Sequence, residues 1–318
     1  MTKVVQTELH RHLDVSTRVE TLYELAVERG FEAQSTSLSS FREKVLIRKP
    51  MTDLRHVLDQ FTLFQRVLDR PEILERVAFE AAEDVYREGT RRVEFRFAPS
   101  FVCEKKSLTW NEALESFERG LARARQKYAD LETGLICIGV RDFSVEEVAQ
   151  TADFFLENQK HFVAFDLAGN EDKNSPKVYA SIFKRLQAAG ANITVHAGEG
   201  AGAENIWEAV DILGAKRIGH GIRSIEDPKL VEELARRKIC LEICPTSNWL
   251  TRCVTDLRHH PLPKILRAGV PVCINTDDPG IFGVTMSGEV EICKKQMGLT
   301  DSEVTKCFEN AYLYSFIQ

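Results

Sequence analysis

The chain of 318 residues carries 42 Lys and Arg against 48 Asp and Glu, a formal net charge of -6 with a sequence pI near 5.9, which argues against a polyanion as its main partner. Hydrophobic residues make up 43% and charged residues 28%, the balance of a globular chain with a well-buried core. No charged segment leads into an apolar one as in a secretory signal, no apolar run is long enough to span a membrane, and the eight scattered cysteines form no CxxC pair, so reduced thiols and a cytoplasmic location are expected.

In chain order, apolar β-branched runs predict strands at residues 4–10, 92–97, 134–140, 162–167, 192–196, 217–220, 239–244 and 270–275. Helical spacing separates them, as in Val19, Leu22, Leu25 and Ala26 before Gly30, and Ile73, Val77, Ala81 and Val85 before Gly89. The same spacing recurs in Leu114, Phe117 and Leu121, in Val145, Val148, Ala152 and Phe155, and in Leu230 and Leu234. Strands alternating with helices predict an α/β fold with a parallel sheet, and eight of them close naturally into a (β/α)8 TIM barrel. An open doubly wound sheet would carry a Gly-rich loop after its first strand, and none follows here. The expectation is a single domain over residues 1–318. The gap from about residue 15 to 91 is too long for one helix, which predicts a helical insertion between strands 1 and 2 over the barrel mouth. Within it Leu54, Val57, Leu58 and Phe61 form an apolar stripe, suited to plain packing or to walling a substrate pocket.

Barrels of this kind place their chemistry at the C-terminal ends of the strands. The first predicted strand ends in His10, His12 and Asp14, and in a strand residues two apart share a face, so both imidazoles can grip one ion. The fourth ends in Asp166-Leu167-Ala168-Gly169-Asn170-Glu171, the fifth in His196-Ala197-Gly198-Glu199, the sixth in Gly219-His220-Gly221 and the eighth in Asn275-Thr276-Asp277-Asp278. Any one of these is weak, since a lone strand-end histidine is more often a hydrogen-bonded structural residue and Asp277-Asp278 before proline reads equally as a turn. Four of the eight histidines on one rim of one barrel are harder to dismiss. Three neutral imidazoles and a carboxylate, His10, His12, His196 and Asp277, suit one divalent transition metal, zinc first, with a water in the open position. Such an ion makes hydroxide available near neutral pH. Glu199, three residues past a ligand, is placed to move protons, and His220 to orient the water or accept its proton. His56, His161, His259 and His260 fall in helical or loop contexts and read as structural.

In order, HRHLD, DLAGNE, HAGE, GHG and NTDDP resemble the adenosine deaminase family of the amidohydrolase superfamily. The likeness runs over essentially the whole chain and includes Arg92–Pro99 and Cys244–Asn248. It implies hydrolytic deamination of adenosine and 2′-deoxyadenosine to the 6-oxo purine and ammonia, with zinc held by His10, His12, His196 and Asp277. It further implies that Glu199 protonates the purine N1 and that His220 positions the zinc-activated hydroxide that attacks C6. Asp278 would contact N7, the Gly169 N–H would contact N3, and Asp14 would hold the ribose 5′-hydroxyl. The partner would be a small purine nucleoside, with no nucleic acid or membrane involved. The chain departs from the family where HLDG is usual: Val15 follows Asp14 and adds bulk near the sugar site. Adenine and aminodeoxyfutalosine therefore stay open as alternative 6-aminopurines, while a 5′-phosphate would meet Asp14 without an evident cation. A binuclear amidohydrolase would need a lysine ending the fourth strand, and the nearest, Lys160, precedes it. A polynucleotide deaminase would need H-x-E and P-C-x-x-C, and both are absent. A catalytically inert binding module on the same barrel would be expected to have lost a chemical residue, and none is missing.

Overall fold

The computed structural model describes residues 5–51, 54–104 and 108–318, with the backbone alone at 54–60. Val4 and the side chains of Leu54, His56, Val57 and Leu58 lie outside the described residues. Eight parallel strands form the axis: β1 (Thr7–His12), β2 (Arg92–Phe97), β3 (Glu132–Val140), β4 (Ala164–Ala168), β5 (Thr194–Ala197), β6 (Arg217–His220), β7 (Cys240–Ile243) and β8 (Val272–Ile274). They pair in chain order within β1–β4 and within β5–β8. Two single bridges join these sheets into a closed ring. At one seam Phe165 faces Ile193, and the Phe165 N–H donates to Asn192 O at 2.9 Å. At the other Arg11 faces Asp277, where the His12 N–H donates to Asp277 O at 2.9 Å and the Asp277 N–H to His10 O at 3.1 Å.

Strand alternation sorts β2 into two faces. Phe95 and Phe97 turn outward, Phe97 meeting Phe117 edge to face at 4.8 Å, while Glu94 and Arg96 turn into the barrel. That interior is ionic. Arg96 donates to Asp166 at 2.8 Å and to Glu242 at 2.6 Å, and Arg217 donates to Glu242 and to Glu94, each at 2.6 Å, all five side chains being fully buried. The helix Asp301–Tyr314 and the tail behind it close the far end. Glu94 Oε1 accepts from Ser315 Oγ at 2.8 Å and from the Phe316 and Ile317 N–H groups, and the Arg217 guanidinium lies 3.8 Å from the Phe316 ring centroid.

Strict alternation would set Leu9 and His10 on opposite faces, yet both reach the interior. Leu9 packs with Cys240 and Cys273, and His10 meets Glu242. The reason is a bulge: Glu8 pairs with Val93 but Arg11 with Phe95, so β1 carries one residue more than β2. Between these strands, among the described residues, lie four helices, α1 (Val19–Glu28), α2 (Leu38–Val45), α3 (Leu54–Val67) and α4 (Pro71–Arg87). The last packs on the helix Trp110–Lys127, tied by Glu75 to Arg119 and Arg123 at 3.2 and 2.6 Å. On α3, Phe61 meets Phe101 at 6.4 Å, and Gln65 donates to Phe101 O at 3.0 Å. No helix among the described residues is long and apolar enough to cross a membrane.

Candidate active site

His10 and His12 leave β1, Asp166 leaves β4, His196 leaves β5, His220 ends β6, Glu242 stands on β7 and Asp277 follows β8. One nitrogen of each of three rings is committed to a buried partner: His10 Nδ1 to Glu242 at 2.8 Å, His196 Nδ1 to Asp166 at 3.0 Å and His220 Nδ1 to Asn248 at 2.9 Å. These bonds turn each Nε2 toward a common centre. There His10 Nε2 lies 3.2 Å, and His12 Nε2 3.4 Å, from the same oxygen of Asp277, while His220 Nε2 lies 3.8 Å from the other oxygen. Close packing demands glycine beside them. A Cβ on Gly219 would stand 3.0 Å from His10 Cε1 and 3.3 Å from the His196 backbone. His220 and Asp277 themselves adopt left-handed backbone, with φ of 59° and 65°, a conformation costing on the order of 1 kcal/mol each.

Burial pushes His12, His196 and His220 below the ordinary imidazole range and so keeps them neutral, as ligands must be. For His10 burial and Arg96 pull the same way but are outweighed by Asp277 and Glu242, and it ends above that range. Two carboxylates therefore call for a cation at this ring. His10 Nε2 is fully buried and its one polar neighbour, Asp277 at 3.2 Å, makes no well-aligned hydrogen bond with it, so a metal ion fits between them. Among the described residues one donor of each of His10, His196, His220 and Asp277 falls within 4.8 Å of the others, and His12 groups with Asp277 and Asp278 in the same way. Asp277, buried but facing His10, His220 and His12, stays well below the usual carboxylate range.

The cluster floors a cavity of about 350 Å³, within the range of small-molecule sites, roughly 300–1,000 Å³. It is lined by the expected His12, Asp14, Phe61, Gly169, His196, Glu199, His220, Asp277 and Asp278, with His10 buried beneath. Burial, then Asp277 and Glu171, push Glu199 well above the usual carboxylate range, so it keeps a proton; its Oε2 lies 3.6 Å from His220 Nε2. Burial, then Asp277 and Asp14, do the same to Asp278, whose Oδ1 is buried without a partner. Asp14 Oδ2 accepts from the Ala98 N–H at 3.2 Å, and Val15 stands beside it in the wall. Gly280 supports this corner: a Cβ there would stand 2.4 Å from Val15 O.

Several lining residues were not anticipated, among them Phe101, Ile138, Val140, Asp142, Phe143, Lys173, Ser247 and Thr251. Nor were the holders Glu242, Asp166 and Asn248. Asp166 and Asn248 lie inside segments that stood out in the sequence, but the ring each holds comes from another strand. His260, expected to be structural, has Nε2 3.4 Å from Asn248 Oδ1 and so stands behind His220. His161 pairs with Glu118 at 2.7 Å, well outside the cavity lining.

A closed parallel barrel whose C-terminal rim gathers imidazoles, a carboxylate and a protonated acid around one cavity is a metal-assisted hydrolase in its architecture. The profile of the family described as "Adenosine deaminase" matches residues 6–318, and the chain belongs to that family, hydrolases acting on carbon–nitrogen bonds. It is 35% identical over 316 residues to the adenosine deaminase of Shewanella loihica, covering 99% of this chain and 95% of that one. With the adenosine deaminase of Vibrio parahaemolyticus it shares 36% over 311 residues, 98% and 93% of the two chains. Among solved structures it is similar to an adenine deaminase from Arthrobacter aurescens, with a TM-score of 0.91, 28% identity and coverage of 99% and 95%. An amidohydrolase from Burkholderia ambifaria, solved with bound Zn, shares the fold, with a TM-score of 0.88 at 23% identity and coverage of 99% and 86%.

Proposed function

We propose that the chain acts as one domain that hydrolyses adenosine and 2′-deoxyadenosine to the 6-oxo nucleoside and ammonia, with one zinc ion held by His10, His12, His196 and Asp277. The observation that carries this is Glu199, a buried carboxyl that retains its proton in the wall of a cavity floored by those ligands. Zinc, when bound, supplies a Lewis acid that acidifies water near neutral pH.

The chain's own groups then divide the work. Glu199 delivers its proton to N1, which makes C6 electrophilic. His220, kept neutral by burial and oriented through Nδ1 by Asn248, accepts a proton from the attacking water at Nε2. A C–O bond forms at C6, His220 passes its proton to the amino nitrogen, the C6–N bond breaks and ammonia leaves, while the remaining hydroxyl proton returns to the Glu199 carboxylate as the 6-oxo group forms. Asp278, which also keeps its proton, donates to the acceptor N7 through its carboxyl. Gly169, held in left-handed backbone with φ of 95°, presents its N–H to N3, and Asp14 receives the 5′-hydroxyl.

Asp14 and Asp142 line the cavity against one cation, Lys173, whose Nζ is bound to Asp142 O at 3.0 Å, while Glu199 and Asp278 keep their protons and Asp277 faces the imidazoles. That balance supports a neutral nucleoside over a 5′-phosphate. Val15 favours a second assignment, a related 6-aminopurine such as adenine or aminodeoxyfutalosine, because it takes room at the sugar end. The deciding experiment is an ultraviolet assay of the zinc-loaded protein on adenosine, adenine, aminodeoxyfutalosine and AMP. Adenosine should turn over fastest. Preference for adenine or aminodeoxyfutalosine would move the assignment to the second substrate, and no turnover of any of the four would overturn both.

A further inference from the structure

Glu171 has no part in the scheme above, yet it is buried, 4% exposed, directly behind the loop that carries Glu199. Its Oε1 accepts from the Glu199 and Gly200 N–H groups, both at 2.9 Å. Its Oε2 accepts from the Gly198 N–H at 2.8 Å and from Asn205 Nδ2 at 3.2 Å. One carboxylate thus collects three successive backbone amides, the middle one belonging to Glu199 itself. The turn that presents them needs Gly198, which has φ of 72° and where a Cβ would stand 2.3 Å from Ile206 Cδ1. Arg223 holds the carbonyl side of the same loop, its N–H donating to Gly198 O at 3.0 Å and its Nη1 to Gly200 O at 2.9 Å. The side chain of Glu199 is held by weaker donors, Thr251 Oγ1 at 3.4 Å and the Cys253 thiol. The backbone amides at 2.8–2.9 Å are therefore the firmest tie on this residue.

We propose that Glu171 is a positioning residue for the deamination, its carboxylate fixing the amides of Gly198, Glu199 and Gly200 so that the Glu199 carboxyl meets the N1 edge of the purine. This rests on Glu199 being the proton donor. Four donors converge on two oxygens that must both accept, so an amide in place of the carboxylate turns one acceptor into a donor facing N–H groups without altering size. The negative charge of Glu171 also disfavours ionisation of Glu199, behind the larger effects of burial and Asp277.

The test is Glu171→Gln in the zinc-loaded protein, followed by steady-state kinetics on adenosine, metal analysis and residue-resolved amide exchange. Displacing a catalytic group by about 1 Å costs on the order of 10²-fold. The expected result is therefore a kcat lower by about that factor, with KM within about threefold and metal content unchanged. The amides of residues 198–200 should exchange faster while those of β5 stay protected. Asn205→Ala, which removes one donor of the four, should shift kcat and exchange in the same direction by less. A kcat within about twofold of the parent in folded Glu171→Gln, or a loss matched by equal loss of metal, would overturn the proposal. Should Glu171→Gln not fold, unchanged exchange and kcat in Asn205→Ala would do so. A parent protein inert on every 6-aminopurine would instead sink the assigned reaction, and amide exchange would still decide whether Glu171 holds the loop.

Discussion

Three carboxyls share the cavity floor and do not share a protonation state. Asp277 faces three imidazoles and is held ionised, while Glu199 and Asp278, without cations of their own, keep their protons. Environment divides one functional group into one ionised carboxylate and two protonated carboxyls. Glu199→Gln preserves shape and hydrogen bonding but has no proton to give, so metal content should be unchanged while kcat falls by roughly 10²–10⁴-fold. Near-parent turnover in that variant would remove Glu199 from the mechanism. A second buried acid has a thermodynamic effect of its own. Glu289 Oε2 accepts from the Thr246 N–H at 3.0 Å, and burial pushes its pKa from 4.5 up to about 7. Below pH 4.5 the group is protonated both folded and unfolded, and its contribution to stability is complete. Between 4.5 and about 7 the unfolded chain ionises first, so that contribution is lost as pH rises and the loss is complete above about 7. The shift corresponds to on the order of 3 kcal/mol. Urea denaturation of the parent and Glu289→Gln across this window should show the variant gaining relative stability by about that amount as pH rises. Parallel pH profiles would contradict it.

At the scale of strands and loops, what matters is how closely neighbouring elements approach. Gly219 allows β6 to pass within contact of His10 and His196, so Gly219→Ala must push one of them by a few tenths of an ångström. The fold should survive at a cost of about 1–3 kcal/mol, and zinc affinity, read by chelator competition, should fall. Unchanged affinity would mean that the neighbours yield elsewhere. Legibility in the sequence follows the same division. The strands Arg92–Phe97 and Arg217–His220 were expected with these bounds, because their apolar residues stand between clear turn signals. Residues 4–10 were expected for β1, which instead runs Thr7–His12, since the polar end is held by β8 through the His12 and Asp277 amides. The bulge at Glu8–Arg11 leaves no mark in a single sequence, because it depends on the register of β2. That His10, His12, His196 and Asp277 meet at one rim was legible because each ends a strand-like run. Glu242, read only as part of an apolar run, was not, because its partners His10, Arg96 and Arg217 come from three other strands.

For the molecule as a whole, the imidazole cluster at the rim and the C-terminal tail are ends of one column of charge. His10 is held by Glu242, Glu242 by Arg96 and Arg217, Arg217 pairs with Glu94, and Glu94 ends on residues 315–317. A chain lacking residues 315–318 leaves Glu94 Oε1 without those donors and Arg217 without the Phe316 ring. It should lose about 1–3 kcal/mol of stability, measured by chemical denaturation, and bind zinc more weakly although the rim residues are untouched. Full stability and affinity in the shortened protein would show that the column carries no coupling.

The same column bears on how the barrel is assembled. Arg96 and Glu94 sit in the first four strands, and their partners Glu242 and Arg217 sit in the last four. Each half keeps one pair of its own, Arg96 with Asp166 and Arg217 with Glu242, but Glu94 and the second bond of each arginine are completed only by the other half. A half standing alone would leave the Glu94 carboxylate without its arginine, so closing the ring, which also brings the rim of β1 to that of β8, is favoured over either four-stranded half.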